Sequence, residues 1–111
     1  MKIPNFRNAE VTKSKVLDYL ISLGHPEGES KARFFLRWGF KPEDWSILAS
    51  ALVKQANEND YTSVIEGRYG TKYVVVAPIA APKGSTPPVK TIWIIAKDEE
   101  FPRLITAYPA S

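Results

Sequence analysis

The spacing of apolar residues changes near residue 60, and this change limits the fold more than any other feature of the chain. Before it, apolar residues recur every three or four positions, which predicts helices over 12–23, 30–38 and 42–56. After it, segments rich in Val, Ile, Thr, Tyr and Trp predict strands over 61–66, 71–78, 89–96 and 103–108. Because connections this short join antiparallel neighbours, the predicted fold is α+β, with three N-terminal helices packed on one face of a four-stranded antiparallel meander sheet.

Composition predicts one compact domain. The chain has 111 residues, 44% of them hydrophobic, so we expect a single domain over 1–111 with a helical half (1–60) and a sheet half (61–111). The absence of cysteine and the presence of one histidine exclude disulfides, cysteine–zinc sites and multi-histidine metal sites within one chain, and no metal or cofactor is predicted. With neither an apolar signal region nor a membrane-length apolar run, the protein is expected to be cytoplasmic and not to enter a membrane.

Alternation along the strands divides their residues between two faces of the sheet. One set is aliphatic and is expected to pack on the helices: Val74, Val76, Ile92, Ile94, Ile105 and Ala107, with Lys72, Lys90 and Arg103 at its ends. The other set mixes rings with hydroxyl groups: Tyr73, Val75, Thr91, Trp93, Leu104, Thr106 and Tyr108. Two interpretations of this second face are open. Either loops or a second copy of the chain cover it, or unpaired bases stack on it while hydroxyls and cations hold phosphate.

The only histidine, His25, precedes a proline and is therefore expected in extended backbone after the first helix. Lys31 and Arg33 follow in the first turn of the next predicted helix, where positive charge opposes the helix dipole. An anion bound between His25, Lys31 and the free amides of the helix start would reverse that penalty. The alternative is a loop histidine that caps a carbonyl, next to solvated basic residues.

Most enzyme classes lack support in the sequence. It contains no phosphate-binding loop of the Walker type, no dinucleotide fingerprint and no nucleophile elbow. The chemistry that fits is metal-free phosphodiester cleavage, which needs a group to take the 2′-hydroxyl proton, a group to protonate the leaving oxygen, and fixed cations. His, Lys, Arg and Tyr side chains can fill all of these roles.

The segments HPEGESKARFF, YGTKYVV, VKTIWII and PRLITAYP, spread over nearly the whole chain, resemble a small bacterial family of unknown function. The order of helices before a meander ending in Thr-x-Tyr is also similar to the barnase–EndoU–colicin–RelE group of metal-independent ribonucleases, many of them toxins. This second resemblance implies His25 or Lys31 as the acid–base group. It also implies that Arg68, Lys72 and Arg103 hold phosphate, and that Thr106 and Tyr108 orient it.

Two functions follow as hypotheses. The first is an endoribonuclease-like toxin domain that cleaves single-stranded or structured RNA without metal. Its predicted catalytic residues are His25, Lys31, Thr106 and Tyr108, and its predicted substrate-binding residues are Arg33, Arg68, Lys72, Tyr73, Thr91, Trp93 and Arg103. The second is a non-catalytic interaction module, an immunity or adaptor protein, that uses the Tyr/Trp/Thr face as an interface. The expected partners are RNA, a small antitoxin or immunity protein, or a second copy of the chain.

Overall fold

The computed structural model describes residues 1–24 and 29–110 and confirms the predicted α+β architecture. A 3₁₀ turn (Phe6–Asn8), helix α1 (Lys13–Lys15), a π-helical segment (Val16–Leu20), helix α2 (Glu29–Arg37), a second 3₁₀ turn (Pro42–Asp44) and helix α3 (Trp45–Glu58) precede the sheet. Its strands are β1 (Ser63–Glu66), β2 (Gly70–Pro78), β3 (Pro88–Ala96) and β4 (Arg103–Pro109), in that order and antiparallel throughout. None of the described helices is long and apolar enough to cross a membrane.

The first helical stretch changes from α to π geometry after one turn. The Oγ1 atom of Thr12 accepts a hydrogen bond from the Lys15 amide (3.1 Å) and so caps the N-terminus. The Ile21 amide then donates to the Val16 carbonyl (3.0 Å), five residues back, which is the π-helical pattern. The π-helical segment ends at Leu20, earlier than predicted. This wider turn contains Tyr19, which belongs to the candidate site.

Helix α2 ends at a recognisable sequence signal. It includes Glu29, one residue before the start that the sequence predicts. It ends before Gly39, whose φ of 98° is a conformation that glycine adopts without strain. Pro42 then starts the 3₁₀ turn that leads into α3. At the first position of a helical turn the amide hydrogen has no partner within the turn, so the lack of one in proline costs nothing.

The helices cover the sheet face opposite to the predicted one. Thr91, Trp93 and Val75 are fully buried, and Trp93 and Val75 belong to the hydrophobic core that also contains residues of the helices. Val76, predicted to pack on the helices, is 43% exposed. Residues in register with it share its side of the sheet, which we call the open face: Lys72, Val74, Val76, Lys90, Ile92, Ile94, Thr106 and Tyr108. The predicted assignment of the two faces is therefore wrong for β2 and β3.

Gln55 on α3 makes burial of this more polar face favourable. Its Nε2 atom donates to the carbonyls of Ala77 (2.9 Å) and Val89 (2.8 Å), and its Oε1 atom accepts from Thr91 Oγ1 (2.7 Å). The indole Nε1 of Trp93 donates to the same threonine oxygen at 2.8 Å. Because buried polar groups are tolerated when they are hydrogen-bonded, this network lets Thr91 and Trp93 lie in the core.

A bulge in β4 places two predicted catalytic residues on the open face. Trp93 pairs with Leu104, but Ile92 pairs with Thr106, so Ile105 is an extra residue on the last strand. Leu104 stays on the covered face, whereas Thr106 moves to the open side. The predicted grouping of Thr106 with Trp93 on one face is wrong for this reason.

Candidate active site

A lysine, a tyrosine and a threonine from three separate elements meet where β4 contacts the helices. The Nζ atom of Lys31, in α2, donates to the hydroxyl of Tyr19 (2.6 Å) and to Oγ1 of Thr106 on β4 (3.1 Å). The Thr106 hydroxyl also lies 3.5 Å from the Tyr19 oxygen, to which it can donate. All three side chains are only partly buried, so a bound molecule can reach them. We call Lys31, Tyr19 and Thr106 the polar cluster.

Each member of the polar cluster owes its position to a local irregularity or to an element end. Tyr19 lies in the π-helical segment, and such wide turns are frequent at functional sites. Lys31 lies in the first turn of α2, near the edge strand β4. Thr106 reaches the open face because of the β4 bulge, a feature that often re-aims a side chain beside an active site.

The polar cluster favours negative charge on the Tyr19 oxygen. The hydrogen bond from Lys31, followed by that from Thr106, lowers the pKa of Tyr19 below its ordinary value, and the charges of Lys31 and Lys15 act in the same direction. Partial burial of the phenol opposes this shift and is the smaller effect. A phenol with a lowered pKa, held by a lysine, is suited to accept or return a proton.

Further cations and a second phenol surround the polar cluster. The Lys31 ammonium lies 5.7 Å from the centre of the Tyr108 ring, and the Lys90 ammonium lies 5.6 Å from the same ring. On the other side, the Lys15 ammonium is 5.1 Å from the Tyr19 ring. Within residues 1–24 and 29–110, no carboxylate forms an ion pair with any of these three lysines. Among the described residues, this region therefore combines lysines outside ion pairs with hydroxyl donors, a combination that can hold a phosphate.

Three of the four predicted catalytic residues lie together. Lys31, Thr106 and Tyr108 are neighbours in this region, whereas His25 lies outside the described residues. The prediction that an imidazole faces the last strand therefore remains a prediction.

The predicted substrate-binding residues are not in one place. Arg33 forms an ion pair with Glu29 on the exposed side of α2, two positions from Lys31 and hence on another side of the helix. Arg103 forms an ion pair with Glu99 at 3.3 Å and lies in a hollow that also contains Glu10 and Glu100, an environment that disfavours phosphate. Only Arg68 and Lys72 line a hollow on the open face without carboxylates among its lining residues.

The ring and hydroxyl residues of β2 and β3 that were predicted to contact bases face the helices instead. Thr91 and Trp93 are fully buried and bonded to each other, so neither can contact a base. Tyr73 is half-buried and packs edge-on against Tyr61, with ring centres 5.2 Å apart. Burial raises the pKa of Tyr73, and neighbouring Tyr61 and Glu66 add to the rise. Tyr73, Thr91 and Trp93 are therefore not part of the candidate site.

Tyr19, Lys15 and Lys90 belong to this region but are absent from the sequence-based site. In the first predicted helix, the apolar residues between Val16 and Ile21 form a stripe, and Tyr19 lies beside it. This pattern does not indicate what the Tyr19 hydroxyl contacts. Strand alternation groups Lys90 with the aliphatic set, which lies on the open face of β3. Its position opposite Tyr108 does not follow from alternation, which puts Tyr108 in the other set, because the β4 bulge changes the register.

Comparison with known proteins identifies the family and the fold. The chain belongs to the family described as a domain of unknown function, DUF6883, whose model matches residues 2–111. No curated protein matches the chain in sequence. Among solved structures, the fold is similar to that of a chain in a contact-dependent growth inhibition toxin–immunity protein complex from Klebsiella pneumoniae 342, with a TM-score of 0.76. The two chains are 19% identical, and the match covers 96% of this chain and 97% of the other, so the likeness concerns the fold.

Proposed function

We propose that this DUF6883 protein is a metal-independent endoribonuclease toxin domain whose active site is the polar cluster. The observation that carries the proposal is the contact of Lys31 with both Thr106 and Tyr19, in a region with three lysines unpaired by carboxylates of the described residues. RNA is the proposed substrate because its phosphodiester is an anion that these donors can bind, and because its 2′-hydroxyl supplies the nucleophile.

Cleavage proceeds by internal transfer of the phosphoryl group. The 2′-oxygen attacks phosphorus as its proton passes to a base, the bond from phosphorus to the 5′-oxygen breaks, and that oxygen takes a proton. The products are a 2′,3′-cyclic phosphate and a free 5′-hydroxyl. Lys31 and Thr106 donate to the non-bridging oxygens, where negative charge grows in the transition state. Tyr19 and His25 are the proposed proton-transfer pair, and Tyr108 orients the phosphate.

The proposed protein partner is a small immunity protein or antitoxin. The solved complex with the similar fold joins a growth inhibition toxin to its immunity protein. On this chain, the open face presents Val76 (43% exposed), and Ile65 on β1, in register with Lys72, is 53% exposed. A protein that covers these apolar groups and pairs with the lysines would also block the polar cluster.

The second candidate function is a non-catalytic immunity or adaptor module. The same exposed aliphatic groups favour it, since they form a surface for a protein partner whether or not the chain is an enzyme. The surface differs from the predicted one, because Thr91 and Trp93 are buried. The presence or absence of RNA cleavage separates the two functions.

The test is incubation of the purified protein with total RNA and with transfer RNA in EDTA. We expect cleavage to fragments with 2′,3′-cyclic phosphate ends, and a rate about 100-fold lower for Lys31→Met, the loss typical of one transition-state donor. Lys41→Met, which removes an exposed lysine before α3, is the matched control and should cleave at the wild-type rate. Circular dichroism verifies that both variants fold. Intact RNA with the wild-type protein, or full activity in a folded Lys31→Met variant, contradicts the proposal.

A further inference from the structure

A hollow of about 330 Å³ lies on the open face beside the β1–β2 turn. Its lining consists of the turn residues 67–70 together with Lys72, Ile94 and Ile105. The two isoleucines contribute apolar surface, whereas Arg68 and Lys72 contribute positive charge. Flat apolar surface next to cations fits a nucleotide, since a base stacks on the first and a phosphate pairs with the second.

The turn that borders the hollow is held in a fixed conformation. Gly70 has a φ of 149°, and a Cβ atom there would lie 2.4 Å from the Ile95 carbonyl oxygen. The Gly67 amide donates to the Gly70 carbonyl (2.9 Å), and the Lys97 amide donates to the Tyr69 carbonyl (3.1 Å). The backbone on both sides of Tyr69 is therefore positioned before any ligand binds, which lowers the entropic cost of binding.

Tyr69 is the aromatic residue best placed to hold a base. Its side chain is 75% exposed although it is large, and the Arg68 guanidinium lies 5.9 Å from its ring centre. An exposed ring beside a guanidinium offers stacking on both the phenol and the planar cation.

The hollow and the polar cluster lie on the same face of the sheet. Lys72 pairs with Ile94, which lines the hollow, and Ile92, two positions earlier on β3, pairs with Thr106. Two residues along a strand span about 7 Å and two strand spacings about 10 Å, so the backbones of Lys72 and Thr106 are roughly 12 Å apart. A single strand of RNA a few nucleotides long can therefore contact both the hollow and the polar cluster.

We propose that this hollow is a nucleotide subsite outside the cleavage centre, in which Tyr69 stacks on a base of the RNA strand while Arg68 and Lys72 bind a phosphate of the same strand. This inference rests on the proposed function, because it assigns a further nucleotide of the same RNA substrate. A protein side chain is the competing occupant, and the exposed cations favour the nucleotide, whose phosphate is a fixed anion.

The first experiment measures binding without requiring catalysis. The four ribonucleoside 3′-monophosphates and inorganic phosphate are titrated separately into the full chain, and backbone amide shifts are followed by nuclear magnetic resonance. We expect at least one nucleotide to shift the amides of Gly67, Tyr69 and Ile94 and to bind more tightly than inorganic phosphate. Tyr69→Ala should weaken that binding about 10-fold, within the range for loss of one stacked base. Phe101→Ala, at another exposed aromatic residue in a turn, is the matched control and should leave binding unchanged.

The second experiment measures cleavage of single-stranded RNAs that extend to different lengths on either side of the cut. Tyr69→Ala should lower kcat/KM for RNAs long enough to reach the hollow and leave it unchanged for shorter ones, while Phe101→Ala cleaves both as the wild type does. Nucleotide shifts in the hollow without any RNA cleavage would support the subsite and overturn the proposed function. Cleavage of long RNAs by Tyr69→Ala at the wild-type kcat/KM, or nucleotide binding no tighter than that of inorganic phosphate, would overturn the subsite and leave the proposed function intact. A partner protein that occupies the hollow while no nucleotide binds would also overturn it.

Discussion

Replacement of Gln55 by leucine tests which face of the sheet the helices cover. Gln55 is 2% exposed and takes part in three hydrogen bonds, two donated to strand carbonyls and one accepted from Thr91. A typical buried hydrogen bond contributes a net ~1 kcal/mol, so the three together contribute about 3 kcal/mol. Leucine restores part of the lost packing, and we therefore expect the free energy of unfolding to fall by about 2–3 kcal/mol.

The assay is urea unfolding followed by tryptophan fluorescence. Trp93 bonds to Thr91, the residue that loses its glutamine partner, so its emission should also change in the folded variant. The midpoint should decrease while the slope stays constant, because the area exposed on unfolding hardly changes. Lys54→Leu, at the preceding and exposed position of α3, is the control and should change stability by less than about 0.5 kcal/mol. A Gln55→Leu variant as stable as this control would refute the buried network and the assignment of the faces.

Three further changes test the site and the turn. Tyr19→Phe should identify the Tyr19 phenol in an absorbance titration, because it removes the tyrosine whose pKa Lys31 lowers below the ordinary value. In Lys31→Met this phenol should titrate at higher pH than in the wild type, and an unchanged curve in that variant would contradict the contact. His25→Gln should slow RNA cleavage by about 100-fold or more with an unaltered thermal midpoint, as expected for a general acid or base, and wild-type kinetics would exclude this role. Gly70→Ala should destabilise the protein by clearly more than Gly84→Ala, since both have positive φ but only at Gly70 does the new Cβ meet backbone, and equal losses in urea unfolding would contradict the tight turn.

The architecture could be predicted because it depends on local patterns. Helical spacing before residue 60, strand propensity after it, and turn residues between strands are all properties of neighbouring residues. Motifs along the chain also indicate a family of unknown function, and the chain belongs to such a family, DUF6883. The face that the helices cover could not be predicted, because alternation indicates only which residues share a side of the sheet. Burial of the face that contains Thr91 depends on Gln55, which is 36 positions from Thr91 and accepts a hydrogen bond from its hydroxyl.

The candidate site was predictable only in part for a similar reason. Lys31, Thr106 and Tyr108 were singled out by residue type and by resemblance. However, the bulge at Ile105 decides which side of β4 the last two occupy, and a bulge has no reliable sequence signal. Tyr19 was missed because its role depends on a contact with Thr106, 87 positions later in the chain.

The π-helical segment affects how the chain tolerates changes in length. Removal of one residue from this wide turn would convert it to α geometry, and a single residue step corresponds to about 100° of rotation around a helix axis. Such a deletion would turn Tyr19 away from Lys31, while the capped turn before it and the strands after it would keep their own hydrogen bonds. In a protein built this way, a change of one codon in length, without any substitution, can disconnect the phenol from its lysine.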